Sequence, residues 1–459
     1  MANGNDSRNM KYRSLQWYLM GGNRLNAIDL FAGAGGMSLG FELAGVHVVA
    51  AVEYCSKAMK THEHNFPDCI NYNDDICNVK TSSVLADLEQ KRITKDDIDL
   101  IIGGPPCPGF SNIGRSKIVS LLRKKEWKWV GRPPKEWRHQ FIQDPRNKLF
   151  LEFVRFVKDF QPKGYVMENV TGMLASKNSE GVVITDLIKD AFKNIGYECE
   201  MKVLEADKLG VPQARKRVIF IGWKTDNPQD AFSHPKMSED FRWNSVDAIS
   251  DLPFIGQEGG VSNHMHGNSK NDYQTLMRYK AYRDAGRVDP RTGKIPTKKA
   301  KLSCHKGRWV NPRDRAIFPE LKVPIEGPRV TYDKIDPAEL KFPKGWKWDD
   351  KKRLVINKSI KKGLNSYKWY RTDSFKDKLR RIAAHKPSPT LVAHMATDTY
   401  MYVHPTDDRT LTPQEAARIQ SFPDSFDFTL ESIGIFTNNE IAIIQNIIFL
   451  TFSIPFYIF

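Results

Sequence analysis

A single cysteine stands at the tip of an unusually stiff turn. The stretch DLIIGGPPCPGFSNIGR (Asp99–Arg115) runs from an apolar strand through two glycines and two prolines to Cys107. The prolines restrict the backbone, while the glycines allow close approach of a ligand or another chain segment. A buried cysteine usually only packs, but one at a Pro-Pro turn is poorly placed for packing. Because the thiolate is a strong nucleophile near neutral pH, we interpret Cys107 as a nucleophile.

A glycine-rich turn and two acidic residues indicate a site for an adenosine-bearing ligand. The run FAGAGG (Phe31–Gly36) opens a helical pattern after a strand, although this motif also fits a plain strand–helix turn. Glu53 lies 17 residues after Gly36, at the end of the next strand, where such folds hold a ribose hydroxyl pair. Asp75 ends the following strand and is placed to meet an adenine amino group. No Gly-Lys-Ser/Thr sequence follows the glycines, which argues against a triphosphate.

These residues lie in a rhythm of alternating strands and helices. The apolar runs NAIDLF, VHVVAAVEY, INYNDDI and DLIIGG are separated by helical segments. The pattern predicts an α/β fold with a parallel sheet that helices cover on both faces. Ligands of such sheets bind at the carboxyl ends of the strands, so the glycine turn, the acidic residues and Cys107 should share one edge.

Further polar residues are expected at the same edge. Glu168 follows the strand GYVM, although a carboxylate at the start of a helix is an alternative interpretation. Gln213, Arg215 and Arg217 alternate into the strand RVIFIG, so their side chains should lie on one face. A solvated basic edge strand is the alternative for this run.

Charge and composition narrow the class of partner. The 459 residues contain 70 Lys and Arg against 54 Asp and Glu, a net charge of +16. This favours a polyanion, above all nucleic acid, with an anionic membrane surface as the alternative. Six cysteines without CxxC spacing indicate no metal site and a reducing compartment. The N-terminus has no apolar core of signal-peptide length, so we expect a cytoplasmic protein.

Taken in order, the motifs resemble the DNA (cytosine-5)-methyltransferase family over about residues 26–222 and 385–428. The blocks are DLFAGAGGMSLGFELAG, VEY, DDI, GGPPCPGFS, VMENVTGML, LGVPQARKRVIFIG and RTLTPQEAARIQSFPDSF. The resemblance implies a Rossmann-like S-adenosylmethionine-dependent methyltransferase domain with an inserted, smaller target-recognition domain. It also implies that S-adenosyl-L-methionine is the cofactor, bound by Phe31, Gly33, Gly35, Gly36, Glu53, Asp75, Ile76 and Pro106.

The implied reaction is methylation of cytosine C5 in double-stranded DNA. C5 is too electron-poor to attack a methyl sulfonium, but a Cys107 thiolate added at C6 makes it nucleophilic. The resemblance implies that Glu168 holds N3 and the exocyclic amine, that Arg215 contacts O2, and that Arg217 supports the site. Asn169 should brace the active-site loop that carries Cys107, and Thr390 should lie near this loop. The base must leave the duplex, because C6 is not reachable within the stack.

Two basic segments are candidates for contact with DNA. Arg115–Gln140 has nine Lys and Arg against two Glu, with three tryptophans, and suits backbone contact and stacking or, alternatively, forms a solvated insert. Lys270–Arg315 has 14 Lys and Arg against four Asp. We predict a catalytic domain at 1–235 that continues at 385–430, and a target-recognition domain at 236–384.

The C-terminal sequence departs from the family. The usual Gly-Asn-x-Val block, which completes the cofactor pocket, does not occur, and 431–459 is an atypical apolar tail. Ile441–Phe459 has 14 apolar residues of 19, which fits a truncated or frame-altered end better than a membrane anchor. We therefore expect weak cofactor binding, and better solubility when this tail is deleted.

The sequence predicts the modification enzyme of a bacterial restriction–modification pair. We expect a monomer that binds double-stranded DNA and no membrane, beside a restriction endonuclease that acts separately. The alternatives are a tRNA cytosine-5 methyltransferase and an inactive DNA-binding relic. The variable segment of about 150 residues favours duplex DNA, since tRNA-modifying members of the family typically have little sequence there.

Overall fold

The computed structural model describes residues 24–106, 148–177, 181–226, 233–257, 260–261, 267–298, 302, 304–326, 328–330, 334–336, 339–342, 346–348, 353–356, 367–368, 379–391 and 402–428. Its centre is a seven-stranded sheet in the order β3-β2-β1-β4-β5-β8-β6. The strands are β1 (Asn26–Leu30), β2 (His47–Val52), β3 (Ile70–Tyr72), β4 (Ile98–Gly103), β5 (Gly164–Val170), β6 (Tyr197–Glu205) and β8 (Lys216–Lys224). The short strand β7 (Gln213–Ala214) lies outside this sheet.

The strand order reverses between β1 and β4. From β1 the chain builds outward through β2 and β3, and it then returns to β4 and β5 on the other side. These five strands pair in parallel, as the sequence predicts. A crevice opens where two neighbouring strands send their connections to opposite faces, and open α/β sheets bind ligands there. The glycine turn after β1 and the Pro-Pro turn after β4 both start at this point.

The far side of the sheet is antiparallel, which corrects the expectation of a purely parallel sheet. β8 pairs antiparallel with both β5 and β6. The chain between β6 and β8 holds only a 3₁₀ turn (Asp207–Leu209) and β7. A parallel return needs a crossover of a dozen or more residues, so this short connection reverses the strand. Because β8 runs backwards, its first residues lie at the edge where β5 ends.

Helices cover both faces of the sheet, as predicted. They are α1 (Gly36–Leu43), α2 (Ser56–Asn65), α3 (Thr81–Gln90), α4 (Phe150–Phe160) and α5 (Ile184–Lys193). Alternate strand residues enter two separate apolar cores: Ala27 packs in the core with α1, whereas Ile28 packs in the core with α3, α4 and α5. This alternation follows from the two-residue period of a strand. Among the described helices, none combines the length and hydrophobicity needed to cross a membrane.

The remaining elements are short. The helices are α6 (Ser245–Ile249), α7 (Asp272–Thr275), α8 (Ala281–Asp284), α9 (Pro312–Ile317) and α10 (Pro413–Ile419), and a π-helical turn (Leu276–Lys280) joins α7 to α8. The other 3₁₀ turns are Lys95–Asp97, Thr171–Ala175 and Phe318–Glu320. The strands are β9 (Gly260–Val261), β10 (Lys306–Gly307), β11 (Trp346–Trp348), β12 (Arg353–Ile356), β13 (Tyr367–Lys368) and β14 (Ser388–Pro389).

Part of the predicted target-recognition segment packs on the central sheet. Tyr273, Met277 and Tyr282 belong to the same apolar core as α1. Arg287 Nη1 lies 3.1 Å from Oε2 of the buried Glu42 in α1. Residues up to Arg287 therefore attach the segment to the face of the sheet that α1 covers, which we call the catalytic face.

A buried ion network joins the end of the described chain to the same core. The Arg418 guanidinium, fully buried, lies 2.5 Å from Asp424 Oδ1 and 3.2 Å from Asp251 Oδ1. Arg278 Nε donates to the other oxygen of Asp251 at 2.7 Å. Removing one partner of such a network destabilises the folded state, because the remaining charges stay buried without a counter-charge. It links α10 to α6 and to the π-helical turn.

Candidate active site

The turn after β1 is tight because three of its residues have left-handed backbone conformations. The φ angles are 61° at Phe31, 59° at Gly33 and 95° at Gly35. A Cβ atom on Gly35 would lie 2.4 Å from Cε2 of Phe66, so conformation and space both require glycine there. α1 begins at the next residue, Gly36. The turn thus leads directly from the switch point of the sheet into a helix.

Glu53 is held at the adjoining strand end by two backbone donors. The Gly33 N–H donates to Oε2 at 2.9 Å, and the Cys55 N–H donates to Oε1 at 2.7 Å. Burial raises the pKa of Glu53, while these two hydrogen bonds act in the opposite direction. A carboxylate has about four acceptor positions, so two stay available after these bonds form. That arrangement suits a pair of neighbouring hydroxyl groups.

The turn after β3 lies against the same strand end. Asn73 Nδ2 donates to the Glu53 carbonyl at 2.9 Å. In that turn, Asp75 Oδ1 accepts from the Cys77 N–H at 3.0 Å. The Ile76 side chain is buried in the apolar core. The structure therefore brings Glu53 and the Asp75 turn together, as the order of the motifs suggests.

The end of β4 lies in direct contact with β1. Gly103 pairs with Leu30, and a Cβ atom at Gly103 would lie 2.2 Å from the Leu30 carbonyl oxygen. Only glycine allows this approach. The glycine turn and the Pro-Pro turn consequently start side by side.

The Pro-Pro turn is braced from β5. Asn169 Nδ2 donates to the Pro105 carbonyl oxygen at 3.1 Å, which confirms the bracing expected of this residue. Pro105 is buried, whereas Pro106 is exposed. Cys107 lies outside the described residues, as do the basic loop Arg115–Gln140 and the tail Ile441–Phe459. The nucleophilic role of Cys107 and the behaviour expected of the tail stay predictions.

Glu168 and Arg217 form a close pair at this edge. Arg217 Nε lies 2.6 Å from Glu168 Oε1, and the two side chains are only 16% and 7% exposed. Glu168 lies inside β5, which continues to Val170, so the alternative of a helix-start carboxylate is wrong. Val170 pairs with Arg217 and Glu168 with Ile219, which makes Glu168 and Arg217 diagonal neighbours on one face.

Arg215 and Gln213 are buried beside that pair. The exposed residues Ala214 and Lys216 alternate with them, as a shared face requires. β8 lies between β5 and β6, so the interpretation as an edge strand is wrong. Burial and the nearby Arg217 lower the pKa of Arg215 to about 9, although Glu168 acts in the opposite direction. Arg215 is therefore still charged at neutral pH.

Beside the pair of Glu168 and Arg217, two further buried donors make no hydrogen bond within the described part of the chain. They are Nε2 of Gln213 and Nε of Arg215. Buried polar groups are almost always hydrogen-bonded, so these two atoms are available as donors to a bound ligand. The chemistry of these donors suits a carbonyl oxygen.

The segment that returns from the predicted recognition domain closes over this strand. β14 pairs in parallel with β7, and Thr390 Oγ1 donates to the Ala214 carbonyl at 3.0 Å. Thr390 thus lies near the active-site residues, as expected. The Tyr402 hydroxyl donates to the Thr390 carbonyl at 2.7 Å. The sequence did not indicate Tyr402, because YMYVHP matches no motif. Its hydrogen bond to Thr390, which in turn contacts the distant Ala214, leaves no local pattern in the sequence.

The geometry defines two neighbouring sites at one edge of the sheet. One is the nucleoside-type site at the carboxyl ends of β1, β2 and β3. The other combines a carboxylate and two guanidinium groups where β5 ends and β8 begins. The Pro-Pro turn after β4 lies between them in strand order. The arrangement can hold a planar polar ring next to a bound nucleoside.

The fold is that of a Rossmann-like, S-adenosylmethionine-dependent methyltransferase. The chain belongs to the C-5 cytosine-specific DNA methylase family, whose model matches residues 25–433. It is therefore a DNA cytosine-5 methyltransferase, and the family and fold imply S-adenosyl-L-methionine as cofactor.

Curated relatives and a solved structure agree with this assignment. The chain is 32% identical over 409 residues to the Type II methyltransferase M.DdeI of Desulfomicrobium norvegicum, covering 88% of this chain and 80% of that protein. It is 29% identical over 436 residues to the Type II methyltransferase M.AgeI of Thalassovita gelatinovora, covering 88% and 92%. The crystal structure of an Escherichia coli prophage-encoded protein, described as a DNA modification methyltransferase, has a TM-score of 0.56 at 22% identity, covering 93% and 98%. That structure supports the fold alone.

Proposed function

We propose that this enzyme methylates C5 of one cytosine within a specific sequence of double-stranded DNA, through a covalent bond between Cys107 and C6 of an extruded base. The observation that supports this proposal most directly is the group of Glu168, Arg217 and Arg215 beside the Pro-Pro turn, in which Glu168 and Arg215 are buried and Arg217 is partly buried. Cytosine presents N3, an amino group and O2 along one side of its ring. A carboxyl group can donate its O–H to N3 and accept from the amino group, and a guanidinium group can donate to O2.

The nucleoside-type site fits S-adenosyl-L-methionine. Its residues would be Phe31, Gly33, Gly35, Gly36, Glu53, Asp75, Ile76 and Pro106. Glu53 has two acceptor positions for a ribose hydroxyl pair after its bonds to Gly33 and Cys55. The turn carries no lysine for phosphate groups, which agrees with a ligand without a triphosphate. When bound, the cofactor supplies an electrophilic methyl group.

The remaining chemistry belongs to this chain's own residues. The Cys107 thiolate adds to C6, and the electron pair of the C5=C6 bond makes C5 nucleophilic. The Glu168 carboxyl group donates its O–H to N3 and accepts from the amino group, while Arg215 donates to O2 and stabilises the developing negative charge. After C5 is methylated, a solvent water molecule accepts the C5 proton, the electron pair of that C–H bond re-forms the C5=C6 bond, and the C6–S bond breaks to return the thiolate.

The segment 236–384 is proposed to read the DNA sequence. Its packing on α1 up to Arg287 supplies a rigid anchor on the catalytic face. The excess of basic residues in Lys270–Arg315 suits contacts to phosphates and base edges. The loop Arg115–Gln140 is proposed to contact the duplex near the extruded base.

The biological setting is proposed from the relatives. Both curated relatives described above are named Type II methyltransferases. We propose that this chain is likewise the modification enzyme of a restriction–modification pair, that it acts as a monomer in the cytoplasm, and that a cognate endonuclease acts separately.

Transfer of tritium from labelled S-adenosylmethionine tests the substrate. We expect label in duplex DNA and none in tRNA. Labelled tRNA would favour the tRNA alternative, and no label in either would favour an inactive DNA-binding relic. Binding to the duplex should weaken steeply with salt, because each neutralised phosphate contributes about −0.9 to the log–log slope. A flat salt dependence would contradict a duplex substrate.

A duplex that carries 5-fluorocytosine tests the nucleophile. The wild-type enzyme should form a stable protein–DNA adduct, because the fluorine cannot leave C5 as a proton does. Cys107→Ser should form no adduct and lose turnover while still binding DNA. The matched control is Cys199→Ser, a half-buried thiol on β6, which should react like the wild type. An adduct in the Cys107→Ser variant would show that another residue is the nucleophile.

A further inference from the structure

We infer that Tyr402 is a positioning residue for Arg215, and that it acts through Thr390 and the backbone of Ala214. The inference rests on the proposed role of Arg215 at the cytosine O2. It assigns a function in the reaction to a residue that touches neither cofactor nor substrate in the proposed site.

Two consecutive hydrogen bonds connect the Tyr402 side chain to the backbone next to Arg215. The Tyr402 hydroxyl donates to the Thr390 carbonyl at 2.7 Å. The Thr390 hydroxyl donates to the Ala214 carbonyl, which belongs to the peptide bond that leads into Arg215, at 3.0 Å. Thr390 thus receives a bond on one side and donates one on the other. A shift of Thr390 therefore changes the position of the Ala214–Arg215 peptide.

Arg215 lies between β7 and β8. Its carbonyl oxygen accepts from the Ala206 N–H at 2.9 Å, which fixes its C-terminal side, so the contribution of Thr390 concerns the Ala214–Arg215 peptide on its N-terminal side. β7 pairs only with the two-residue strand β14 in the described chain, through Gln213–Ser388 and Ala214–Pro389. The regular ladder of β8 starts at Lys216. The Arg215 guanidinium is buried, and its Nε has no partner among the described residues. The backbone on the N-terminal side of Arg215, which Thr390 contacts, therefore contributes to the direction of the side chain.

Tyr402 is itself held rigidly. Its side chain is only 4% exposed. The next residue, Val403, bridges to Arg381 on one side and to Thr410 on the other. The Arg381 guanidinium donates to the carbonyls of His404 and Asp407 at 2.7 and 2.8 Å. These contacts make Tyr402 a suitable fixed point for the returning segment.

The electrostatic surroundings connect the same residues. Against the larger lowering by burial and by Arg217, Tyr402 raises the pKa of Arg215, as Glu168 does. Tyr402 therefore lies within electrostatic range of the guanidinium and is also connected to the backbone next to Arg215. A small displacement of a group that must meet a developing charge is costly in rate.

The chain offers a matched control for a purely structural tyrosine. The hydroxyl of Tyr197, also buried, donates to the Pro162 carbonyl at 2.6 Å. Pro162 precedes β5, so this bond lies at the sheet edge opposite to the proposed site. Tyr197→Phe removes the same kind of bond as Tyr402→Phe, without a connection to Arg215.

The experiment measures the steady-state kinetics of full-length Tyr402→Phe and Tyr197→Phe enzymes, with duplex DNA as substrate. Tyr402→Phe should lower kcat about tenfold or more, because misplacement of a catalytic group by as little as 1 Å can cost about a hundredfold. Its KM for S-adenosylmethionine and its affinity for S-adenosylhomocysteine should stay at wild-type values. Tyr197→Phe should lower the melting temperature about as much while leaving kcat unchanged.

A double-mutant cycle with Arg215→Lys separates positioning from loss of stability. Arg215→Lys keeps the charge but loses the planar fork, so we expect a lower kcat. In that background Tyr402→Phe should have little further effect on kcat, since the group it positions is no longer present. Fully additive losses, a wild-type kcat for Tyr402→Phe, or an equal loss in Tyr197→Phe would each overturn the inference. If the wild-type enzyme labels no duplex DNA, the proposed function and this inference both fail. If the wild type labels DNA and Arg215→Lys lowers kcat, the proposed function stands, and the Tyr402→Phe results decide the inference.

Discussion

Arg217 Nε lies 2.6 Å from Oε1 of Glu168, and the two residues come from antiparallel strands that meet at one edge of the sheet. The parallel order of β1 to β5 brings Glu168 to this edge, and the reversal of β8 brings Arg217 there. The pair limits how the Glu168 side chain can turn, which agrees with the orientation that its proposed role at cytosine requires.

The first prediction concerns Glu168. Glu168→Gln keeps the shape but removes the acidic O–H proposed for N3 and the charge that pairs with Arg217, so kcat should fall by about 10²–10³-fold, a typical loss for one stabilising group. Tritium transfer to DNA measures kcat. The control is Glu198→Gln, an exposed position on β6, which should keep wild-type activity. A Glu168→Gln variant of normal kcat would remove Glu168 from the mechanism.

The second prediction concerns cofactor affinity. Both oxygens of Glu53 accept backbone N–H groups, whereas Gln has one acceptor oxygen, so Glu53→Gln should weaken binding of S-adenosylhomocysteine. Lost bonds to a charged group correspond to about 1.5–3 kcal/mol, or about 10- to 150-fold in affinity. Calorimetry measures this. Glu63→Gln, exposed on α2, should bind normally. Equal affinities would place the ribose elsewhere.

The third prediction concerns the pH dependence of stability. Burial raises the pKa of Asp29 from 3.8 to about 7, although the Ser38 hydroxyl, which donates to it at 2.5 Å, acts in the opposite direction. The folded state therefore binds this proton more tightly than the unfolded chain, and the stability that it contributes is lost as pH rises from about 4 to about 7. His62, which lies 3.0 Å from Ser38 Oγ, has its pKa lowered to about 4 by burial and stays neutral over most of that range.

Asp29→Asn tests this pH dependence, because an amide resembles the protonated acid. The variant should gain stability relative to the wild type as pH rises, by up to about 4 kcal/mol above pH 7, since each pKa unit corresponds to about 1.4 kcal/mol. Urea unfolding between pH 5 and pH 8 measures the difference. A difference that does not change with pH would show that Asp29 does not titrate in this range.

The fourth prediction concerns the buried network around Arg418. Arg418→Met leaves Asp251 and Asp424 without their shared cation, and breaking a buried pair typically costs about 3–5 kcal/mol. The control is Arg283→Met, because the pair of Arg283 and Asp284 is solvent-exposed and such pairs contribute about 0–1 kcal/mol. Urea unfolding at neutral pH compares them, and similar losses for both variants would contradict the structural importance of the network.

Local sequence was sufficient for residues whose role depends on their position in one element. The glycine turn, Glu53 and Asp75 are each found at the end of their strand because strand periodicity and turn residues are local properties. The sequence places Glu168 just after its strand, whereas in the structure β5 includes Glu168 and continues to Val170. Pairing with β8 extends the strand, and pairing is not visible in the local pattern.

The sequence by itself determined the alternation of strands and helices, the residue types at the strand ends, and the motif order that marks the family. Only the tertiary structure decided that β8 runs antiparallel, so that Arg217 reaches Glu168, and that Tyr402 closes on Thr390 and Ala214. The physical reason is range. Propensity and periodicity act over a few neighbouring residues, whereas strand direction and a side-chain contact across 176 positions (Ala214 to Thr390) depend on how the whole chain packs.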